Sequence, residues 1–93
     1  MTAKVRAHIF VTGKVQGVYY RQNTVETANE HGVTGWVRNL PDGRVEAVLE
    51  GDESSVKKMI EWCKVGPPNA QVEKVDTKFE SYTGEASGFT IIY

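Results

Sequence analysis

The stretch that decides the fold is Gly13-Lys14-Val15-Gln16-Gly17-Val18-Tyr19-Tyr20-Arg21. It joins a predicted strand to a predicted helix through a loop that contains Gly17. The first N–H groups of a helix have no intrahelical partner, and the helix dipole leaves partial positive charge there. Because Gly17 lets the backbone curl closely around a ligand and Arg21 adds a planar fork of donors, this junction predicts an anion site.

The spacing of this loop excludes two common kinds of phosphate site. The pattern G-x-x-x-x-G-K-[ST] of the P-loop nucleotidases is not satisfied, because no Lys-Ser/Thr pair follows Gly17. In a Cys-x5-Arg phosphatase loop ending at Arg21, the nucleophile would stand at position 15, which is Val15. A covalent phosphocysteine is therefore excluded.

The residues on either side of the loop predict a strand and a helix. Residues 5–12 alternate, and the inward face carries four apolar residues, Val5, Ala7, Ile9 and Val11. His8 lies on the other, less buried face. A helix is predicted from Arg21 to His31, with Val25 and Ala28 inward and Gly32 as its left-handed stop.

The rest of the chain predicts a hairpin, a second helix and further strands of the sheet. Strands over Val33–Leu40 and Arg44–Gly51 flank the turn Pro41-Asp42-Gly43. Asp52 is predicted to cap a second helix, whose inward residues are Val56, Met59, Ile60 and Cys63. A fourth strand covers Ala70 to about Tyr82, and because Val72 is out of phase, it contains a bulge or starts late. Phe89–Tyr93 can add a short terminal strand.

The element order β-α-β-β-α-β, with this short extra strand, predicts an α+β fold. We expect the ferredoxin-like split βαβ arrangement, an antiparallel sheet with two helices on one face. Many functions share this fold, so a functional argument must come from the site.

Asn39 is predicted to lie near Arg21. It shares a strand face with Val33, Gly35 and Val37, and the βαβ crossover brings the end of that strand to the edge where the first loop lies. An asparagine offers both a donor and an acceptor, so it can orient a water molecule without titrating. The alternative is an asparagine that only caps the turn before Pro41.

Two linked segments resemble the signature segments of the acylphosphatase family, in the right order and separation. They are Gly13 to Arg21 and Gly35-Trp-Val-Arg-Asn39-Leu-Pro-Asp-Gly43-Arg-Val45. The resemblance covers essentially the whole chain, including the ending Phe89-x-x-x-Tyr93. Two departures stand out: Tyr20 replaces the phenylalanine common before the arginine, and Ile92 replaces a basic residue before the final tyrosine.

The resemblance implies a hydrolase that cleaves small acyl phosphates to a carboxylate and inorganic phosphate by in-line attack of water. It implies that the phosphoryl group is bound by the loop, at Gln16, Gly17, Val18, Tyr19, Tyr20 and Arg21. Arg21 and Asn39 are the implied catalytic residues, with Asn39 positioning the water. Tyr19 and Tyr20 could each line the site or pack in the core. Inorganic phosphate is expected to inhibit as product.

Length, charge and cysteine content set further expectations. The chain has 93 residues, a formal net charge of −1 and one cysteine, Cys63, within an apolar helix face. We expect one domain over residues 1–93, acting as a monomer, with no nucleic-acid partner. No run of about 20 apolar residues and no signal-peptide pattern is present, so we expect a cytoplasmic protein without a membrane partner. No clustered metal ligands stand out, and no metal or cofactor is expected.

Two other classes compete with the enzyme. A non-catalytic anion-binding regulatory module on the same fold would use the loop but has no need for Asn39 beside Arg21. An RNA-recognition module would stack bases on aromatic residues of its third strand, where Arg44–Leu49 offers none.

Overall fold

The computed structural model describes residues 3–93 and contains five strands and two helices in that range. Their bounds, in chain order, are β1 Lys4–Lys14, α1 Tyr20–His31, β2 Thr34–Asn39, β3 Val45–Asp52, α2 Glu53–Cys63, β4 Gln71–Glu80 and β5 Phe89–Ile91. This order confirms the predicted ferredoxin-like α+β fold. Within residues 3–93, neither helix is long and apolar enough to cross a membrane.

The sheet is mixed rather than purely antiparallel. Its strand order is β4-β1-β3-β2-β5, and only the β2–β5 pair is parallel. The direction of β4 is opposite to that of β2, and the chain reverses direction between β4 and β5. As a result, β5 is parallel to β2. Two bonds flank this pair: Gly35 N–H donates to the carbonyl of Gly88 at 2.9 Å, and Ile92 N–H donates to that of Val37 at 3.0 Å.

The core lies between the sheet and the helices, as the polarity pattern predicts. On β1 the inward residues Ala7, Ile9 and Val11 have no exposed surface. The four residues predicted inward on α2, Val56, Met59, Ile60 and Cys63, are all buried. On α1, Ala28 is buried as predicted and Val25 packs at the edge of the core.

The element ends differ from the prediction by one or two residues. Gly32 ends α1 in the left-handed region, with φ at 67°. The out-of-phase Val72 reflects a register shift, because β1 residues Thr12 and Gly13 face Lys74 and Val72, leaving Glu73 as the extra residue of a bulge. Asp52 takes the N-cap position of α2, but within residues 3–93 its side chain makes no capping bond; its carboxylate instead meets Lys4 Nζ at 2.7 Å.

The sheet face away from the helices carries buried carboxylates that the polarity pattern did not predict. Glu46 accepts bonds from His8 Nε2 at 2.6 Å and Arg38 Nε at 2.6 Å. Glu50 is 1% exposed and accepts from Arg6 and from the backbone N–H and hydroxyl of Thr83. Burial acts to raise the pKa of each carboxylate, but these bonds outweigh it and lower both pKa values.

Candidate active site

The loop between β1 and α1 places unpaired backbone donors at the start of a helix. Gly17 has φ at 73°, and Tyr19, the N-cap of α1, has φ at 63°. A non-glycine residue in this left-handed region is uncommon and is found where the surrounding structure enforces it. Within the described residues no side chain caps α1, so its first N–H groups remain available to an anion.

Two valines and one glutamine hold the loop in place. Val15 and Val18 are 1% and 6% exposed, so their side chains anchor the loop in the core. Gln16 Nε2 donates to the carbonyls of Leu40 at 2.8 Å and Arg44 at 2.9 Å, which ties the loop to the β2–β3 hairpin. Gln16 and Val18 are both predicted to bind phosphate. Because their side chains are engaged elsewhere, each can contribute only its backbone N–H group to an anion.

The two adjacent tyrosines have different roles. Tyr20 is 2% exposed, packs 5.6 Å from the Trp62 ring between centroids, and donates its hydroxyl to the carbonyl of Cys63 at 2.7 Å. Burial raises the pKa of the Tyr20 hydroxyl, so it stays protonated. Tyr19 is 71% exposed. Tyr20 is thus the tyrosine that packs in the core, and Tyr19 is the one that faces solvent beside the loop.

A cavity of about 570 Å³ opens beside the helix start. It is lined by Val15, Gly17, Tyr19, Tyr20, Arg21, Gln22, Asn39, Ile91 and Tyr93. The structure therefore brings together Arg21, Asn39 and the glycine of the loop. Lys14 ends β1 with an exposed side chain and does not line this cavity.

Asn39 presents a buried acceptor without a partner. Its Oδ1 is buried and has no hydrogen-bond partner among residues 3–93. The hairpin turn is closed by other groups: Leu40 N–H donates to Arg44 O at 2.8 Å, and Arg44 N–H donates to Asp42 Oδ1 at 3.1 Å. Turn-capping therefore does not account for Asn39. A buried polar atom left unpaired is costly and calls for a ligand or water as its partner.

Arg21 lies in the first turn of α1 with its charge uncompensated by a carboxylate in the described part of the chain. Its guanidinium carbon is 5.5 Å from the centroid of the Tyr93 ring. Tyr93, Ile91 and Gln22 line the cavity but were not predicted as site residues. In the sequence, the ending Phe89-x-x-x-Tyr93 contributes only to the family resemblance, and nothing in its polarity pattern places it near Arg21.

The remaining reactive side chains lie away from this cavity. Cys63 is fully buried, and burial raises the pKa of its thiol to about 12, which makes it a poor nucleophile. His8 faces the opposite side of the sheet between Glu46 and Glu80. Within residues 3–93 no group of three or more His, Cys, Asp or Glu side chains is arranged to hold a metal ion.

A family model and similar sequences point to one family. A sequence model of the Acylphosphatase family matches residues 7–91. An acylphosphatase of Pyrobaculum calidifontis is 60% identical over 89 residues, covering 95% of this chain and 81% of that protein. An acylphosphatase of a Roseiflexus species is 55% identical over the full length of both chains. The crystal structure of an acylphosphatase from Bacillus subtilis matches with a TM-score of 0.92 at 32% identity, covering 96% of this chain and 99% of that one.

Proposed function

Because the chain belongs to the acylphosphatase family, we propose that it hydrolyses small acyl phosphates in the cavity lined by Arg21 and Asn39. The family makes the chain a hydrolase with acylphosphatase activity. The roles of the individual residues are inferred from the geometry of the cavity.

The phosphoryl group is bound at the start of α1. Its oxygens accept hydrogen bonds from the backbone N–H groups of the loop from Gln16 to Tyr20, where Gly17 and Tyr19 have left-handed backbones. Arg21 adds two parallel donors and a positive charge. Such preorganised donors stabilise the charge that develops on the phosphoryl oxygens in the transition state.

Asn39 positions the attacking water, and its unpartnered Oδ1 is the observation that carries this proposal. A water between Oδ1 and the phosphorus would donate one hydrogen bond to the amide oxygen and keep a lone pair for attack. The water oxygen bonds to phosphorus as the bond from phosphorus to the acyl oxygen breaks. The carboxylate leaves with the bonding electron pair, and the hydrogens of the water remain on the phosphate.

No protonated acid is needed for this leaving group. A carboxylate is a weak base, so it departs without receiving a proton. This agrees with the lining that residues 3–93 give the cavity, in which Arg21 is the sole residue of the Asp, Glu, His, Lys and Arg types. A phosphate monoester would leave as a strongly basic alkoxide, and among the described lining residues no Asp, Glu, His or Lys side chain is present to protonate it.

The proposed function is tested by phosphate release from acetyl phosphate and benzoyl phosphate, with an alkyl phosphate monoester as the comparison. We expect release from both acyl phosphates and at most a trace from the monoester. Inorganic phosphate should inhibit competitively, since it fits the same donors. Equal activity on the monoester would contradict the proposed leaving-group argument, and no release from either acyl phosphate would contradict the function.

The domain organisation, oligomeric state and cellular location are also proposals. We infer that residues 1–93 act as one domain, because one five-stranded sheet and one hydrophobic core take in the described elements, and we propose that this domain acts as a monomer. A cytoplasmic location is supported by the single buried thiol, which suits a reducing compartment. Sedimentation of the purified protein would test the monomer.

A further inference from the structure

The side chain of Gln16 joins the β1–α1 loop to the β2–β3 hairpin. Its Nε2 donates to the carbonyl of Leu40 at 2.8 Å and to the carbonyl of Arg44 at 2.9 Å. Within residues 3–93, no other hydrogen bond joins loop residues 15–19 to hairpin residues 40–44. Leu40 directly follows Asn39 in the chain. One side chain therefore connects the segment that holds the phosphoryl group to the segment that holds the water.

The turn of the hairpin is closed by bonds within the hairpin itself. Leu40 N–H donates to Arg44 O at 2.8 Å, and Gly43 N–H donates to Leu40 O at 3.1 Å. A carbonyl oxygen has two lone pairs, so Gln16 occupies the second acceptor position of each carbonyl that it reaches. What the two Gln16 bonds add is a fixed distance between the hairpin and the loop.

The Gln16 side chain is not placed to bind the substrate. Gln16 is absent from the described residues that line the cavity. Both hydrogens of its amide nitrogen are used by the hairpin. An effect of this side chain on hydrolysis must therefore come from how it places other groups.

The loop needs directional contacts to hold its position. Val15 and Val18 pack in the core, but apolar contacts are non-directional. Gly17, between them, has no side chain, and a Cβ added there would meet nothing within 4 Å. Hydrogen bonds have a preferred distance and angle. The Gln16 bonds therefore set where the loop lies relative to Asn39.

In-line attack makes this placement important for the rate. The water must lie about 3–3.5 Å from the phosphorus, and a misplacement of about 1 Å can lower the rate by about 100-fold. The phosphoryl group is held by the loop and Arg21, whereas the water is held by Asn39 at the end of β2. The rate therefore depends on how these two segments are placed relative to each other.

We propose that Gln16 is a positioning residue, whose side chain sets the distance between the phosphoryl group on the β1–α1 loop and the water at Asn39. This proposal rests on the proposed acyl phosphate hydrolysis and adds a residue to it. The backbone N–H of Gln16 remains a donor to the phosphoryl group, and the side chain takes no part in bond breaking.

The test measures kcat with benzoyl phosphate and the inhibition constant of inorganic phosphate in Gln16→Met. Methionine has a similar length but donates no hydrogen bond. We expect kcat to fall by about 10- to 100-fold, because the phosphoryl group and the water lose their alignment. The inhibition constant should change by less than about threefold, since Arg21 and the backbone donors remain. Gln71→Met, the same change at an exposed position of β4 outside the cavity lining, is the matched control.

A double-mutant cycle distinguishes positioning from a general structural role. Because Gln16 acts through the water at Asn39, Gln16→Met should lower kcat by less than about threefold when residue 39 is already alanine. A contribution unrelated to Asn39 would instead lower kcat by the same factor in both backgrounds. Gln16→Asn is the second variant, because its shorter side chain cannot reach both carbonyls, and it should show the same pattern.

Each variant is assayed at a temperature at which circular dichroism shows it to be folded. Parent-like kcat in folded Gln16→Met or Gln16→Asn would overturn the positioning role and leave the hydrolase function intact. Equal factors in the two backgrounds of the cycle would do the same. No hydrolysis of benzoyl phosphate by the parent would overturn the function itself.

Discussion

Asn39, the last residue of β2, and Arg21, in the first turn of α1, line the same cavity. One supplies a buried amide oxygen without a partner among the described residues, and the other a guanidinium with no carboxylate beside it in residues 3–93. The pair therefore offers an acceptor for a water and a donor for an anion in one cavity. Substituting each residue in turn distinguishes these two roles.

Arg21→Ala should lose most activity and remain folded. Removing one preorganised donor to developing negative charge commonly lowers kcat by about 100- to 1,000-fold. Alanine is a strong helix former, so the first turn of α1 should persist. Inhibition by inorganic phosphate should weaken in parallel. Arg38→Ala, which removes an arginine from the opposite sheet face, is the control. Near-parent turnover by folded Arg21→Ala would remove Arg21 from the site.

Asn39→Ala should lose activity without losing affinity for phosphate. Its proposed partner is the water, so kcat should fall by about 100-fold as the nucleophile loses its orientation. Phosphate affinity, measured by calorimetric titration, should stay close to that of the parent. Asn69→Ala changes an exposed loop asparagine and serves as the control. If phosphate binding weakens as much as in Arg21→Ala, Asn39 holds the ligand and the assigned role is wrong.

Stability should fall in acid partly through Glu50. Burial opposes its charge, but the bonds from Thr83 and Arg6 outweigh it and hold its pKa below the ordinary value of 4.5. As the pH falls below about 4.5, Glu50 is therefore protonated in the unfolded chain before it is protonated in the folded protein. The stability that these bonds contribute declines over this range and is lost as the pH falls through the pKa of Glu50 in the folded protein. Glu46 and Glu80 shift in the same direction.

Glu50→Gln should flatten this acid dependence. At neutral pH it should also be less stable than the parent, by about 1.5–3 kcal/mol, because the bonds to a charged acceptor are weakened. Urea unfolding between pH 3 and 7 measures both effects, and Glu73→Gln, on the exposed surface of β4, controls for loss of charge. An acid dependence of Glu50→Gln equal to that of the parent would show that Glu50 does not carry it.

Metal chelation and loss of the thiol should leave hydrolysis unchanged. The proposed mechanism uses backbone N–H groups, Arg21 and Asn39, and it draws no step from a metal ion or from Cys63. EDTA should not alter the rate with benzoyl phosphate. Cys63→Ser should keep its activity but unfold more easily, because a hydroxyl replaces a thiol in the core. Activity lost in EDTA and restored by a divalent metal would contradict this, as would a folded but inactive Cys63→Ser.

The fold was largely predictable from the chain because its pattern is local and consistent. The alternation in β1 and the spacing of Val56, Met59, Ile60 and Cys63 in α2 each report directly which face is buried. The loop from Gly13 to Arg21 and Asn39 were predicted for the site because both stand at ends of elements that the βαβ crossover brings together.

Other features depend on contacts that no local pattern contains. The direction of β5 follows from where the chain reverses after β4, and the pairing of β5 with β2 brings the following residues, including Tyr93, close to Arg21. The buried state of Glu46 and Glu50 depends on Arg6, His8, Arg38 and Thr83, partners from other elements. Tyr20 is buried and Tyr19 is exposed because the backbone at Tyr19 is left-handed, which sequence spacing does not reveal.

The most direct test of the central claim is the position of the oxygen label after hydrolysis of benzoyl phosphate in water enriched in oxygen-18. The proposed attack places the water oxygen on phosphorus, so mass spectrometry should find the label in inorganic phosphate and none in benzoate. Asn39→Ala should give the same label position at a much lower rate. Label in the benzoate would mean attack at the carbonyl carbon and would contradict the phosphoryl-transfer mechanism assigned to Arg21 and Asn39.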